Sequence, residues 1–310
     1  RYPTRDLILR RPPAGTKAKG AHDMRREHDI QRALAPVFPA VAPMIAFCDD
    51  AGVIGSDFYV MERLDGIILR KNIPAELGLG EAEVRALCTA AIDQLVALHS
   101  IDVAGTELER FGKGEGYVKR QVDGWSARYR KARTHGVRHG TGSFEKVMAW
   151  LDEHQPHDVG NCLIHNDFRF DNLVLAHDDP TRVIGVLDWE MATLGDPLMD
   201  LGGALAYWVQ ADDDRIMRGS RRQPTHAPGM LTRDEVWQYY AHASGRAISP
   251  KDQLFYEIFG LFRLAVIAQQ IYYRYANGQT SNPAFKQFRG LVIYLEWRCR
   301  RLMRRAGRLS

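Results

Sequence analysis

The side chains best suited to chemistry lie in one polar segment, His165-Asn166-Asp167-Phe168-Arg169-Phe170-Asp171-Asn172, set between two apolar runs. Sixteen residues past Asn172, a third apolar run at 183–187 ends in Asp188-Trp189-Glu190. If both loops open at the same end of their strands, two carboxylates and an amide converge. Phosphoryl transfer uses such a set, because it needs one carboxylate to orient an attacking hydroxyl and oxygen ligands for a Mg²⁺ ion on the phosphates. Mg²⁺ takes one or two carboxylates and fills the rest of its shell with water and phosphate oxygens. Asp188 and Asn172 would make up that protein share, leaving Asp167 uncoordinated and able to accept a hydroxyl proton. Taken singly, each of these residues reads as a loop carboxylate or amide capping a turn.

The elements that must position them are legible in outline. Residues 7–9 form a short apolar run, followed by the loop Arg11-Pro12-Pro13-Ala14-Gly15. A helix fits 22–34 and is stopped by Pro36. Strands fit 41–48 and 58–61, joined by the turn residues Asp49, Asp50 and Gly52. Leu64-Asp65-Gly66 then marks a change of texture. Beyond it Val84, Leu87, Ala91, Leu95 and Leu98 recur at helical spacing over Glu81–His99. Further helices fit Tyr117–Ala132, 144–153, 234–244, 253–275 and 283–305. The expected class is α+β: a small mixed lobe at 1–64, then a larger, mostly helical lobe at 65–310 with a strand-rich island in its middle.

Composition sets outer bounds. The 310 residues suffice for two lobes, and 42 Lys plus Arg against 38 Asp plus Glu leave a net charge of +4. That is too near balance to predict a nucleic-acid partner. Arg298, Arg300, Arg301, Arg304, Arg305 and Arg308 cluster near the end, but no aromatic residue interleaves with them, so they read as a solvated helix face. Four scattered cysteines without a CxxC spacing predict neither zinc nor disulfides, and a reducing cytoplasm. No apolar run reads as a membrane span and no signal-peptide pattern opens the chain. Oligomeric state is left open.

The polar segment resembles the H-G-D-x-x-x-x-N catalytic loop of the aminoglycoside phosphotransferase and choline kinase-like family. Val186-Leu187-Asp188-Trp189-Glu190 is similar to that family's I-D-W-E metal segment, and Gly195-Asp196-Pro197-Leu198-Met199-Asp200-Leu201 to the G-D-P-x-x-D-L stretch that follows. The resemblance implies a bilobal protein-kinase-like fold, ATP and Mg²⁺ as cofactors, Asp167 as the catalytic base, and Asn172 and Asp188 as metal ligands. It departs at Asn166, where Gly is usual, and Asn is the milder replacement because it tolerates left-handed backbone. His165 and Asp200 are expected as buried braces, and Asp196 as a helix cap before Pro197.

By the same resemblance, Leu7-Ile8-Leu9-Arg10 matches the strand whose basic residue holds the nucleotide phosphates, with Arg10 where Lys is usual and Glu27 as its helical partner. An exposed strand-end Arg and a solvated Glu are the alternative. The stretch ending Glu62-Arg63 then becomes the hinge whose backbone faces the adenine. No phosphate-covering loop is visible: only nine residues precede Arg10, and the loop is expected upstream of the sequence given. Gly112-Lys113-Gly114-Glu115-Gly116 lacks the strand-loop-strand context to replace it and reads as an inter-helix connection.

The acceptor, a hydroxylated small molecule, is expected beside Asp167. Arg169 is placed either to pair with an anionic acceptor or to bridge to Asp171. The acidic run Asp212-Asp213-Asp214 reads as a charged surface turn. The form of the motifs is especially similar to kinase-like domains that occur alone or joined to acyl-CoA dehydrogenase-like domains. That favours a hydroxyacyl metabolite over an aminoglycoside. The rival reading is a catalytically silent nucleotide-binding or interaction module of the same fold.

Overall fold

The computed structural model describes residues 5–13 and 22–306, so Ala14-Gly15 of the first loop and Arg308 of the basic cluster lie outside the described residues. The chain opens with β1 (Leu7–Arg10), α1 (Met24–Leu34), β2 (Met44–Cys48), the one-turn helix α2 (Ala51–Ile54) and β3 (Phe58–Glu62). Helices α3 (Glu81–His99), α4 (Tyr117–Ala132), the one-turn α5 (Gly136–His139) and α6 (Glu145–Glu153) follow. Next come the short strands β4 (Cys162–Ile164), β5 (Leu173–Leu175), β6 (Val183–Val186) and β7 (Thr193–Gly195). Helices α7 (Pro197–Leu205), α8 (Arg215–Ser220), α9 (Arg233–Ser244), α10 (Pro250–Ala276) and α11 (Phe288–Ala306) complete it. Two compact units result: one holds the chain up to Lys113 with Cys162–Leu194 and Arg222–Ser244, the other holds Gly114–Asn161, Gly195–Arg221 and the chain from Gly245 on.

In the first unit β1, β3 and β2 form an antiparallel sheet in that order, with Arg10 opposite Tyr59. Directly opposed residues share a face of the sheet, so these two side chains project together. Helix α1 is started by Asp23, whose carboxylate accepts the Arg26 amide hydrogen at 3.0 Å. It buries Met24, Glu27, Ile30, Gln31 and Leu34, one helical stripe that includes a carboxylate. β5 and β6 pair as an antiparallel hairpin, tied to the preceding chain by Val186 N–H donating to the Ala40 carbonyl at 2.7 Å and by the Ile67–Leu175 bridge. A Cβ at Gly66 would collide with the Leu175 carbonyl, so only glycine lets that bridge close.

One expectation is corrected in this unit. The strand expected at 41–48 begins only at Met44, because Val41 and Ala42 are buried and the carbonyls of Ala40 and Pro43 serve Val186 and Glu62 instead. The run at 162–164 pairs with β7, a three-residue strand too short to leave a periodic signature.

The second unit is packed around α10. Its first turn carries Ser249 as cap and Pro250 at the first helical positions, so the helix starts three residues earlier than its apolar period suggests. α10 also overturns one expectation. At 27 residues it is long and apolar enough, by length and composition alone, to cross a membrane, yet 67% of its apolar window is buried inside the protein. It packs against α4, α7 and α11 as a core helix. A Cβ at Gly202 of α7 would sit 2.6 Å from the Tyr256 carbonyl, so the α7–α10 crossing requires glycine there. The acidic run is only partly a surface turn: Asp214 caps α8, and Asp213 is buried against Arg298 at 2.9 Å.

Candidate active site

The loop between β4 and β5 turns on left-handed backbone at Asn166, with φ 58°. Most residues with a Cβ resist that region, and Asn accepts it because its amide can bond locally. Asn166 Nδ2 donates to the Met191 carbonyl at 3.1 Å, so Asn meets the demand that Gly meets in the resembled motif. Beside it His165 is fully buried and edge-on to Trp189, with ring centroids 4.9 Å apart. Its Nδ1 accepts the Asp167 amide hydrogen at 3.2 Å and its Nε2 donates to the Leu187 carbonyl at 3.0 Å. The two bonds assign the ring proton to Nε2. One imidazole therefore braces both polar loops.

Asn172 Nδ2 donates to the Asp167 carbonyl at 2.8 Å and reaches its carboxylate at 3.3 Å, which leaves Oδ1 as the amide's ligand atom. Leu187 N–H donates to the Asn172 carbonyl at 2.8 Å, setting Asp188 next to the end of the first loop. Arg169 Nη2 donates to Asp167 at 3.1 Å and its Nε faces Asp171 at 3.4 Å. Both arrangements expected of Arg169 remain compatible with this pose, since the Asp167 side chain is 27% exposed and reachable. Gln223, from the segment ahead of α9, accepts the Phe170 amide hydrogen at 2.9 Å and closes the loop from behind.

Asp188 is also left-handed, at φ 69° and ψ 61°. A non-glycine residue held there costs about 1 kcal/mol or more, and such positions concentrate at functional sites. Its carboxylate accepts from Arg10 Nη2 at 3.1 Å, and the same nitrogen donates to Glu27 Oε1 at 2.9 Å. Glu27 is buried, and Tyr59 donates its hydroxyl hydrogen to Glu27 Oε1 at 2.7 Å while accepting from Gln31 at 3.2 Å. The solvated pair of the alternative reading is excluded for Glu27. Burial pushes the Glu27 carboxyl up, against the pull of Arg10 and Tyr59. Burial works against the Arg10 charge, but Glu27, Tyr59 and Asp188 outweigh it and hold the guanidinium firmly protonated.

The donors gathered here are all hard oxygens: the Asp188 carboxylate, Asn172 Oδ1, and a buried Glu27 Oε2 with no hydrogen-bond partner. That set suits Mg²⁺ better than a thiolate- or imidazole-seeking metal. Among the described residues no three His, Cys, Asp or Glu side chains cluster around one point.

The structure thus joins Asp167, Arg169 and Asn172 in one network and Asp188, Arg10 and Glu27 in another, with the Leu187 backbone between. It leaves Glu62 and Arg63 outside both networks. Arg63 pairs with Asp6 at 3.1 Å, Glu62 faces Arg5 at 3.8 Å, and their amide hydrogens go to the carbonyls of Asp6 and Pro43. In the second unit Asp196 is the cap expected of it: Oδ1 accepts the amide hydrogens of Leu198 and Met199, and Oδ2 accepts those of Val159 and the Tyr256 hydroxyl. Asp200 is buried. Tyr59 was not anticipated, although its place opposite Arg10 is the signal that would have found it.

The sequence pattern of the phosphotransferase enzyme family matches residues 1–235. Mouse acyl-CoA dehydrogenase family member 10 is 37% identical over 289 residues, 93% of this chain, but the chain spans only 26% of that relative's length. The crystal structure of a Ralstonia eutropha protein provisionally assigned as an aminoglycoside phosphotransferase is 30% identical, with a TM-score of 0.76 over 94% of this chain and 85% of that one. The ternary complex of APH(2″)-IIa with streptomycin and ATP shares the fold at 17% identity and a TM-score of 0.54, over 85% and 78% of the two chains. The architecture is the bilobal kinase-like one, a small strand-rich region followed by a larger helical part.

Proposed function

From a chain that belongs to the phosphotransferase enzyme family, we propose a transfer of the γ-phosphate of Mg-ATP to a hydroxyl of a small molecule. The observation that carries this reading is the pair of networks meeting at Leu187: one carboxylate, Asp167, held by Asn172 and by its loop neighbour Arg169, and the other, Asp188, held by the strand residue Arg10. The division matches the two jobs of phosphoryl transfer, deprotonating the acceptor and balancing phosphate charge.

Asp167 accepts the acceptor's hydroxyl proton as the oxygen attacks phosphorus. Asn172 holds Asp167 by two bonds from Nδ2 and presents Oδ1 to the cation, with Asp188 as the charged ligand. Bound there, Mg²⁺ would neutralise phosphate oxygens and orient the transferred group. Arg10 steadies the phosphates, and Glu27, fixed by Tyr59, aims it. Because the amide hydrogens of Glu62 and Arg63 are engaged, adenine contacts fall to carbonyls of that stretch and to the chain after it. Arg169 is the residue suited to an anionic acceptor. The acceptor class is a hydroxyacyl metabolite, supported by the likeness to the acyl-CoA dehydrogenase family member; an aminoglycoside-like polyol is the second choice.

The test is transfer of labelled γ-phosphate with and without Mg²⁺ across hydroxyacyl thioesters, aminoglycosides and choline-like amines, with Asp167→Asn as control. Label moving to one class, and not in the control, is the expected result. ATP bound tightly with no label moving to any acceptor would overturn the enzymatic reading in favour of a silent module.

A further inference from the structure

The first turn of α1 faces two ways. Glu27 turns inward to Arg10, while its neighbour Arg26 lines a separate pocket of about 490 Å³. The opposite walls come from the Arg110–Lys113 segment and Thr193. These walls are preformed. Thr193 Oγ1 donates to the Phe111 carbonyl at 2.9 Å, and Gly112 lies so close to Leu194 that a Cβ would meet its side chain at 2.9 Å. Gly112 and Lys113, which read in sequence as the start of a flexible connection, are here part of a wall.

The lining is basic in excess: Arg25, Arg26, Arg110 and Lys113 against Asp23 and Asp29. Both carboxylates are committed. Asp23 caps α1, and Asp29 is engaged by Arg110 at 2.9 Å and by His28 at 2.9 Å. Arg25 pairs with Asp49 just outside. Among the described residues Arg26 has no carboxylate in contact: its guanidinium donates to the Ala192 carbonyl at 2.7 Å and lies 5.7 Å from the Phe111 ring centre. Lys113, exposed at the rim, has no ion-pair partner among the described residues. Two guanidinium groups held on an aromatic face, with an ammonium at the mouth, match a multiply charged, oxygen-rich anion.

We propose that this pocket binds a phosphate ester or pyrophosphate group other than the one being transferred. Two sources share that chemistry: a distal phosphate on the acceptor itself, or a separate phosphorylated metabolite. Arg26 is next in sequence to Glu27 and bonded to Ala192, four residues past Asp188. An anion bound at Arg26 therefore sits on a side chain already tied to the segment after Asp188.

The experiment is a titration of the full chain with pyrophosphate, followed by calorimetry, with the nucleotide site saturated by a non-hydrolysable ATP analogue. Lys113→Ala and Arg110→Ala are the variants, with thermal melting to verify folding. Saturable binding that survives the analogue and weakens about tenfold in each folded variant is expected, as for loss of one charge-assisted bond. Equal binding in the variants, or binding abolished by the analogue, overturns the site. The readout needs no phosphoryl transfer, so it can fail while the proposed function stands, and the reverse. A second arm separates the sources. If Lys113→Ala raises KM only for acceptors that carry a distal phosphate, the acceptor supplies the group; if pyrophosphate alters turnover of a phosphate-free acceptor, a separate metabolite does.

Discussion

Asp167 and Asp188 in the first unit, and Asp196 in the second, are the same residue type in opposite circumstances. The first two stand on loops, 27% and 36% exposed, and each is met by an arginine; Asp188 and the neighbour of Asp167 also hold left-handed backbone. Asp196 is fully buried and saturated by three backbone N–H groups and the Tyr256 hydroxyl. Burial drives its pKa up to about 6, and the three N–H groups only partly offset this. A carboxylate with every lone pair spoken for builds structure. One that is reachable, with exchangeable partners, is fit for chemistry.

The sharpest way to break that contrast is substitution at its two ends. Asp167→Asn is expected to slow transfer by about 10²–10⁴-fold, the range for a lost general base, while ATP affinity and melting temperature hold. A matching loss of stability would show that Asp167 is structural after all. Next in size, Arg10→Ala is expected to weaken nucleotide binding about 10–100-fold, measured by calorimetry, because it removes a charge-assisted contact. It should also lower the melting temperature, since Glu27 is left buried without its cation.

Asp196→Asn tests the other end, and its sign follows from the raised pKa. In the unfolded chain the group titrates near 3.8 and in the folded one near 6, so the folded state binds the proton more tightly. Its contribution is fully present below pH 3.8 and is lost as pH rises through 6. Urea unfolding should therefore show the variant gaining on the wild type by about 1–2 kcal/mol between pH 4 and 6, with no further change above. A difference that stays flat across this range would mean Asp196 is ionised throughout. The smallest effect is at Asn166: Asn166→Ala should cost about 1 kcal/mol in the same assay, and Asn166→Gly less, if left-handed backbone is what the position requires.

How much of this was readable in advance depended on the range over which the signal acts. Asp167, Asn172 and Asp188 can be singled out as candidates because their motifs are contiguous and ordered. Helices α3 and α4 were placed to the residue because their apolar period runs for 19 and 16 residues. Tyr59 was missed because its role comes from strand register, with Arg10 49 positions away along the chain and Glu27 32 away. The burial of Asp213 depends on Arg298, separated from it by 85 residues. Strand β7 and helix α8, at 3 and 6 residues, are shorter than the windows in which periodicity can be read. The pocket lined by Arg26 and Lys113 draws on three separated segments, and no single one of them looks like a site.

The choice of Arg at position 10 has a consequence for how evolution could retune this centre. A guanidinium carries five N–H donors, and both carboxylates are reached from Nη2 alone. The rest of the fork is not needed for holding Glu27 and Asp188. A lysine in the same place would have one nitrogen to divide among carboxylates and phosphates, and each new contact would loosen an old one. Under the proposed role of Arg10, the scaffolding and the cargo would be carried by different atoms of one side chain. The strand, the helix and the loop at Asp188 can stay in register while the geometry of the phosphate end drifts.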